Sequence, residues 1–276
     1  MTAATGTAPS ERTATVPAPT IGRLERFAAV GSTNDVVRDW LAAGEPEICV
    51  AVADEQTAGR GRNGRTWTAP PNAGLLLSAG FRPTWLPVDR VWRLAATVSM
   101  AMAEAAEEVA GLADGSIGLK WPNDLFADGD GPLRKLGGVL GESDGLGTDD
   151  PRVVVGIGLN VDWAAADFPA DLRSTMTSLR VLAGRPVDAD RLLSTFVERL
   201  TVLVGWLRDG AFDARQWIDR QVTTGRTIDL IAPDGAIESV VAHGVDPNSG
   251  ALLVGDGRNR RSVFVGEIRH VRLSGV

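Results

Sequence analysis

Apolar residues recur at helical spacing in four parts of the chain. In the first part, Ser32 is placed to cap a helix with Asp35 reaching back to it, and Gly44 is placed to end that helix. The other three helices are predicted at about 88–109, 189–207 and 212–220. The chain therefore supplies helices that can cover a sheet.

Short β-rich runs lie between these helices. The predicted strands are 48–54, 75–80, 117–119, 136–140 and 153–160. Together with the helices, they predict an α+β fold in which helices pack on one face of a sheet.

From residue 223 onward the pattern changes to short strands divided by turn clusters, which predicts a small β-barrel. Its predicted strands are 227–231, 239–245, 252–254, 263–265 and 268–271. At the other end, the first residues are mostly Ala, Thr, Pro and Ser with no periodic apolar face, which predicts a disordered tail. The predicted organisation is a tail at 1–20, a large domain at 21–222 and a small domain at 223–276.

Composition and charge narrow the class of protein. The chain has 276 residues, of which 44% are hydrophobic and 23% are charged, as in ordinary globular proteins. Its formal net charge of -7 argues against a surface that neutralises the phosphates of DNA. No apolar run reaches the roughly 18 residues of a membrane helix. We expect a protein that binds neither DNA nor a membrane.

Cysteine and histidine give little sign of chemistry. Cys49, the only cysteine, lies in the apolar run 48–52, so we expect a buried small hydrophobe. It can form no intramolecular disulfide, which fits a reducing compartment and predicts a cytoplasmic protein. His243 and His270 lie in the predicted small domain without the spacing of metal ligands.

A segment rich in glycine and arginine follows the predicted strand 48–54. Between Gly59 and Arg65 it contains three arginines and three glycines in an otherwise acidic protein. Glycine lets the backbone come close to a ligand, and arginine offers forked donors to carboxylate and phosphate oxygens. The segment indicates an anion-binding loop, although a solvated basic surface loop has the same composition.

Two further segments contain charged residues, the first in a proline turn and the second beside glycines in a strand. Lys120-Trp121-Pro122-Asn123-Asp124 places a cation, an amide and a carboxylate around a proline turn, in which Asn and Asp can also simply cap their own backbone. In the run 135–142, Lys135 lies beside Gly137 and Gly138. Strand glycines indicate a close approach, here by a ligand, and the alternative is a solvent-facing lysine.

A fourth segment, Gly156-Ile157-Gly158-Leu159-Asn160, ends an apolar strand. It resembles the start of a dinucleotide fingerprint, but the third glycine and the helix that should open there are missing, so we reject that interpretation. Its glycines again permit close approach to the backbone.

These four segments, in this order and preceded by Ser32-Thr33-Asn34, resemble the catalytic domain of biotin protein ligases. The resemblance extends from about residue 21 to the C-terminus. It implies a catalytic domain like that of class II aminoacyl-tRNA synthetases, a mixed sheet with helices, and a C-terminal SH3-like barrel. It also implies activation of biotin with ATP and Mg2+ to biotinyl-5'-AMP, then transfer to a specific lysine on the biotin carboxyl carrier domain of an acyl-CoA carboxylase.

The resemblance also assigns roles to residues, with Lys135 and Arg62 as the catalytic pair. It assigns biotin to Ser32, Thr33, Asn34, Gln56, Gly59, Arg60, Gly61, Arg62, Lys135 and Gly137. It assigns ATP to Arg62, Arg65, Trp67, Asn123, Asp124 and Asn160, with Asp124 as a magnesium ligand. Glu267 and Arg272 resemble the stretch by which the small domain reaches the active site.

Two other functions compete with this one. A lipoate or octanoate ligase or transferase shares the catalytic fold, but the Arg/Gly loop with Trp67 and the Lys-Trp-Pro-Asn-Asp turn favour biotin. A biotin-sensing repressor needs a DNA-reading domain, and only the Ala/Thr/Pro-rich tail precedes the match. We therefore expect a monofunctional ligase.

Overall fold

The structure is a computed structural model that describes residues 20–122, 124–127, 132–256, 259–264 and 267–272. Within the last range it defines the side chain of Ile268 alone. The predicted tail at 1–20 lies outside the described residues, apart from Thr20.

A mixed seven-stranded sheet forms the larger part of the molecule. Its strands follow one another in space as β1-β2-β3-β7-β6-β5-β4, and only the β1–β2 pair is parallel. The strands are β1 (Arg23–Phe27), β2 (Cys49–Ala53), β3 (Gly74–Phe81), β4 (Ile117–Lys120), β5 (Asp124–Ala127), β6 (Arg134–Asp144) and β7 (Arg152–Asn160).

Helices cover both faces of this sheet. They are α1 (Thr33–Ala42), α2 (Trp92–Ala110), α3 (Leu179–Ala183), α4 (Ala189–Arg208) and α5 (Ala214–Asp219). Side chains alternate along β2, so Val50 and Val52 join the large core with α2 and α4, whereas Cys49 and Ala51 pack under α1. The prediction that helices pack on one face is therefore wrong, because α1 covers the opposite one.

The start of α1 also differs from the prediction. Ser32 is the N-cap residue, but its side chain makes no capping hydrogen bond. The Asp35 carboxylate does not reach back to Ser32 and instead pairs with Arg60 and Arg38. Gly44 follows the helix with φ 92°, the conformation expected where a helix ends.

A second, antiparallel sheet has the strand order β11-β10-β9-β8-β12. Its strands are β8 (Thr227–Ile231), β9 (Ile237–Val245), β10 (Leu252–Gly255), β11 (Arg260–Val263) and β12 (Glu267–Arg272). The predicted strand at 263–265 is wrong in its start, because β11 begins at Arg260 and pairs with β10 from Arg260 to Val263. Residue 265 lies outside the described residues.

The two sheets meet beside β4. Trp121 Nε1 donates to the carbonyl of Gly250 at 3.0 Å, and Arg93 Nη2 donates to the carbonyl of Pro247 at 3.3 Å. Within the larger part, the buried Arg220 guanidinium pairs with Glu107 of α2 at 2.8 Å and also donates to the carbonyl of Ile117. Among the described residues, no helix is both long and apolar enough to cross a membrane.

Candidate active site

The sheet face beneath α1 carries small residues at its centre. Ser78 of β3 pairs in register with Gly156 of β7, and Gly158 of β7 pairs with Gly138 of β6. A Cβ at Gly156 would overlap the Asn34 amide, and a Cβ at Gly158 would lie 2.5 Å from the Trp67 ring. The strand glycines predicted a close approach, and the groups that approach are side chains of the protein itself.

The first turn of α1 faces this surface with polar side chains. Ser32, Thr33 and Asn34 are all buried. The backbone N–H of Thr33 donates to Gln56 Oε1 at 2.8 Å, and the hydroxyls of Thr33 and Ser78 lie 2.7 Å apart. Ser78 in turn donates to Asn34 Oδ1 at 2.5 Å. These side chains therefore form one connected set of hydrogen-bonding groups at the sheet surface.

Trp67 lies across Gly138 and Gly158 and forms a flat wall. Lys135 Nζ lies 5.6 Å from the centre of the Trp67 ring and 2.8 Å from Asp124 Oδ1. The buried indole N–H of Trp67 has no hydrogen-bond partner among the described residues. A cation, a carboxylate and an aromatic face therefore meet at one point.

The Arg/Gly loop folds as a narrow hairpin over this surface. Arg60 forms a β-bridge with Thr66, and the N–H of Gly61 donates to the carbonyl of Arg65 at 2.7 Å. A single 3-10 turn, Arg62–Gly64, makes the tip, where Asn63 has φ 55°. Asn tolerates this left-handed conformation better than most residues, so it suits the turn.

Within the loop, Arg60 is held by carboxylates. Its guanidinium donates to both Asp35 oxygens, at 2.7 and 2.8 Å, and to Glu142 Oε2 at 3.2 Å. These hydrogen bonds hold the pKa of the Asp35 carboxyl below its usual range, with a smaller contribution from Arg38. Asp35 and Glu142 in turn raise the pKa of Arg60.

These elements enclose a cavity of about 130 Å³, and the four sequence segments meet around it. The predicted site residues that line it are Ser32, Thr33, Asn34, Gln56, Arg60, Gly61, Arg62, Arg65, Trp67, Asp124 and Lys135. With the three loop arginines and the lysines Lys120 and Lys135 on its wall, the cavity is suited to bind an anion.

Four predicted site residues are not found on the cavity wall. Asn123 lies outside the described residues. Asn160 is buried, and its side-chain amide donates to the carbonyl of Thr177 at 2.9 Å. A Cβ at Gly59 would lie 2.5 Å from the carbonyl oxygen of Trp67, and one at Gly137 would lie 2.7 Å from that of Gly158. These two glycines are explained by contact with the backbone of the protein.

Sequence reasoning missed several residues at the site. Asp35 was interpreted as a helix cap and Glu142 received no role, yet both bind Arg60. Strand alternation carried a signal for Glu142, because it follows the wall residues Gly138 and Leu140 at two-residue spacing on β6. Ile268 of β12 also lines the cavity, so the second sheet contributes to the site. The side chains of Glu267 and Arg272 lie outside the described residues.

Known proteins resemble this chain in sequence and in fold. Residues 27–160 match the model of the Biotin/lipoate A/B protein ligase family. The chain is 31% identical over 252 residues to the biotin--[acetyl-CoA-carboxylase] ligase of Mycobacterium tuberculosis, covering 91% of this chain and 90% of that protein. It is also 31% identical to the protein of the same name from Paracoccus denitrificans, over 83% of this chain and 92% of that protein.

Among solved structures, a biotin protein ligase from Aquifex aeolicus in complex with biotin and ATP shares the fold. The TM-score is 0.73 at 24% sequence identity, over 91% of this chain and 99% of that chain. The arrangement of both sheets is therefore one that a known protein adopts.

Proposed function

This chain belongs to the biotin protein ligase family, and from this premise we propose that it activates biotin with ATP to biotinyl-5'-AMP. It then transfers the biotinyl group to a specific lysine of a biotin carboxyl carrier domain. The observation that carries the proposal is the single cavity on which the first turn of α1, the Arg/Gly loop, Trp67 and Lys135 converge. The similar protein from Aquifex aeolicus binds biotin and ATP together.

The biotin end of the cavity is assigned to the polar turn. Biotin carries a ureido group that both donates and accepts hydrogen bonds. The buried Ser32, Thr33 and Asn34 and the half-buried Gln56 provide partners for it. Because Thr33, Asn34 and Gln56 are already joined through Ser78 in one hydrogen-bond network, little ordering of these three is needed when the ligand binds. Gly59, Arg60, Gly61 and Gly137 then act through the shape of the loop and strand around it.

The adenylate end is assigned to the cations. In the first step a biotin carboxylate oxygen bonds to the α-phosphorus of ATP, and the bond from that phosphorus to the bridging oxygen breaks, releasing pyrophosphate. Two unit charges ~4 Å apart repel by about 4 kcal/mol at an effective dielectric of ~20. Lys135 and Arg62, with Arg65, offset this repulsion and stabilise the charge that develops on the phosphate.

The second step needs no covalent residue of the enzyme. The uncharged carrier lysine attacks the acyl carbon of the adenylate, AMP leaves with the bonding electron pair, and the amine loses a proton. What the protein supplies is positioning and exclusion of competing water. Trp67, Asn123 and Asn160 are assigned to the nucleotide side of the site.

Magnesium is expected to accompany ATP. Among the described residues, no group of three or more His, Cys, Asp or Glu side chains could hold a metal ion. A magnesium ion held mainly by phosphate oxygens needs only one or two carboxylates, and Asp124 on the cavity wall fits that need. When bound, the ion would neutralise phosphate charge.

The finer architecture is part of the same proposal. We assign 21–222 to a catalytic domain like that of class II aminoacyl-tRNA synthetases and 223–276 to an SH3-like domain, which the change from mixed to antiparallel sheet supports. We assign the protein to the cytoplasm, where the buried free thiol of Cys49 would stay reduced. Its carrier is assigned to an acyl-CoA carboxylase, as the names of the similar ligases indicate.

The test is ATP-pyrophosphate exchange with biotin, lipoate and octanoate compared side by side. We expect exchange with biotin alone, followed by labelling of one lysine when a carrier domain is added. Exchange that depends on lipoate or octanoate would instead assign the site to the other branch of the family.

A further inference from the structure

Two carboxylates and two guanidinium groups alternate at the rim of the cavity. Arg38 donates to Asp35 Oδ1 at 2.7 Å and to Glu142 Oε2 at 2.8 Å, and Arg60 bridges the same two carboxylates. Asn34 Nδ2 donates to Glu142 Oε2 at 2.7 Å. We name Asp35, Arg38, Arg60 and Glu142 the rim cluster.

The rim cluster joins three segments that are distant in sequence. Asp35 belongs to the first turn of α1, Arg60 to the Arg/Gly loop and Glu142 to β6, and the two pairs that Arg60 makes span 25 and 82 residues. Single exposed ion pairs contribute little, but a bidentate pair within a network holds its geometry better. The cluster therefore fixes where the loop leaves the sheet.

The same contacts occupy the donors of Arg60. Both Nη atoms of Arg60 donate to carboxylates, and two carboxylates surround it. Its charge is therefore already compensated before any anion enters the cavity. Arg62 and Arg65 follow on the same loop and also line the cavity.

We infer, on the basis of the proposed function, that Asp35 and Glu142 are positioning residues that hold Arg60 and thereby keep the Arg/Gly loop closed over biotinyl-5'-AMP between the two half-reactions. Arg60 acts as the anchor of the loop, and the more distal cations act on the phosphate. Retention of the adenylate thus depends on contacts between protein side chains, those of Arg60 with Asp35 and Glu142, and not only on contacts with the ligand.

The opposite role for Arg60 makes the opposite prediction. If Arg60 were to bind the anionic ligand, Asp35 and Glu142 would compete with the ligand for it. Asp35→Asn would then free Arg60 and slow the release of adenylate. If Arg60 anchors the loop, Asp35→Asn loosens it and speeds release.

The experiment measures adenylate release directly. Enzyme loaded with biotin and labelled ATP is separated from free nucleotide and chased, and release is followed for wild type, Asp35→Asn, Arg60→Gln and the double variant. We expect about fivefold faster release for each single variant, with adenylation falling by a smaller factor. The double variant should release adenylate no faster than Arg60→Gln alone, because Arg60→Gln already removes the contact between Arg60 and Asp35.

Two further variants serve as controls. Glu108→Gln breaks a surface pair with Arg199 that has the same 2.8 Å separation and similar exposure but lies on α2 and α4. It should release adenylate at the wild-type rate. Arg60→Lys keeps the charge and loses the fork, so it should behave like Arg60→Gln. Melting temperatures identify any variant that fails to fold, and Glu142→Gln provides an independent test of the same cluster.

Slower or unchanged release in folded Asp35→Asn and Glu142→Gln would overturn the inference, as would additive effects in the double variant. Wild-type enzyme that performs no biotin-dependent exchange would instead overturn the proposed function. The two failures are therefore distinguishable.

Discussion

The two faces of the seven-stranded sheet are built differently. The face under α2 and α4 is filled with large apolar side chains such as Phe81, Leu94 and Phe196, all fully buried. The face under α1 carries glycines and the buried polar groups of Thr33, Asn34 and Ser78. Apolar burial contributes about 25 cal/mol per Å², whereas a buried hydrogen bond contributes only about 0.5–1.5 kcal/mol net. One face thus supplies stability and the other supplies geometry.

One ion pair is an exception to the apolar packing under α2 and α4, because it is buried on that face. Glu107 pairs with Arg220, and both side chains are less than a tenth exposed. Glu107→Gln would leave Arg220 buried without a countercharge, and we expect a loss of about 3–5 kcal/mol in the free energy of unfolding. Urea denaturation measures this loss. Adenylation by the folded fraction should remain at the wild-type level.

The neighbouring Glu108→Gln is the matched control, because Glu108 lies on the same helix with its side chain about half exposed. It should change the unfolding free energy by less than about 1 kcal/mol. Equal losses for the two variants would mean that burial does not decide the strength of these pairs.

On the face that carries the cavity, Lys135→Ala should slow adenylation and leave the stability of the fold nearly unchanged. Removing one charge-stabilising group typically costs about 2.7–4 kcal/mol in the transition state, so adenylation should fall by about a hundredfold or more. The side chain is a third exposed, so the melting temperature should stay near that of wild type. Near-normal biotin-dependent exchange in the folded variant would remove Lys135 from the mechanism.

Gly158→Ala should moderately lower the stability of the fold and moderately weaken ATP binding. The added methyl group would lie 2.5 Å from the Trp67 ring, and overpacking of this kind costs about 1–3 kcal/mol. The ring must move away from the sheet, so the KM for ATP should rise in steady-state assays. Gly141→Ala on the adjacent strand meets nothing within 4 Å and should leave KM unchanged. A similar KM in both variants would show that the ring does not form the wall.

The smallest effect is expected for Cys49→Ala, beneath α1. The thiol is fully buried, and burial raises its pKa from 9.0 to about 11. Truncation should cost about 1 kcal/mol at neutral pH, without loss of exchange activity. Because the folded pKa is the higher one, the thiol contributes stability below pH 9 that is lost as the pH rises through about 11.

Denaturation at several pH values measures that contribution. The wild type should lose stability between pH 9 and about pH 11 more steeply than Cys49→Ala, because the variant has no thiol to ionise. Identical alkaline profiles for the two proteins would show that the thiol titrates normally.

Strong hydrophobic patterns predicted the fold well. The helix at 189–207 and the strand at 227–231 agree with α4 and β8 to within one residue. β1 was missed because this edge strand has only two apolar residues, Leu24 and Phe27, and Leu24 is 45% exposed. β5 and α3 were missed because four or five residues carry too little periodicity.

The site was predicted as a set of segments but without its internal contacts. The glycines of β7 correctly indicated a close approach, but the sequence could not identify Asn34 and Trp67 as the groups that approach. The partners of Arg60 could not be predicted from the sequence either, because Asp35 and Glu142 become its neighbours only when α1 packs on the sheet. Local rules describe neighbours along the chain, and these contacts depend on the tertiary fold.

The long sequence span of the polar turn sets the time at which the site can form. Asn34 bonds to Glu142 across 108 residues, whereas β6 and β7 are joined by a short connection. Closing a long loop costs more chain entropy than closing a hairpin, and a nascent chain leaves the ribosome from its N-terminus. The first turn of α1 is therefore synthesised early, and its contacts with the sheet can form only after β6 and β7 have been synthesised. A ribosome that stalls before Arg134 holds a chain that lacks both strands, β6 and β7, whose residues line one side of the cavity.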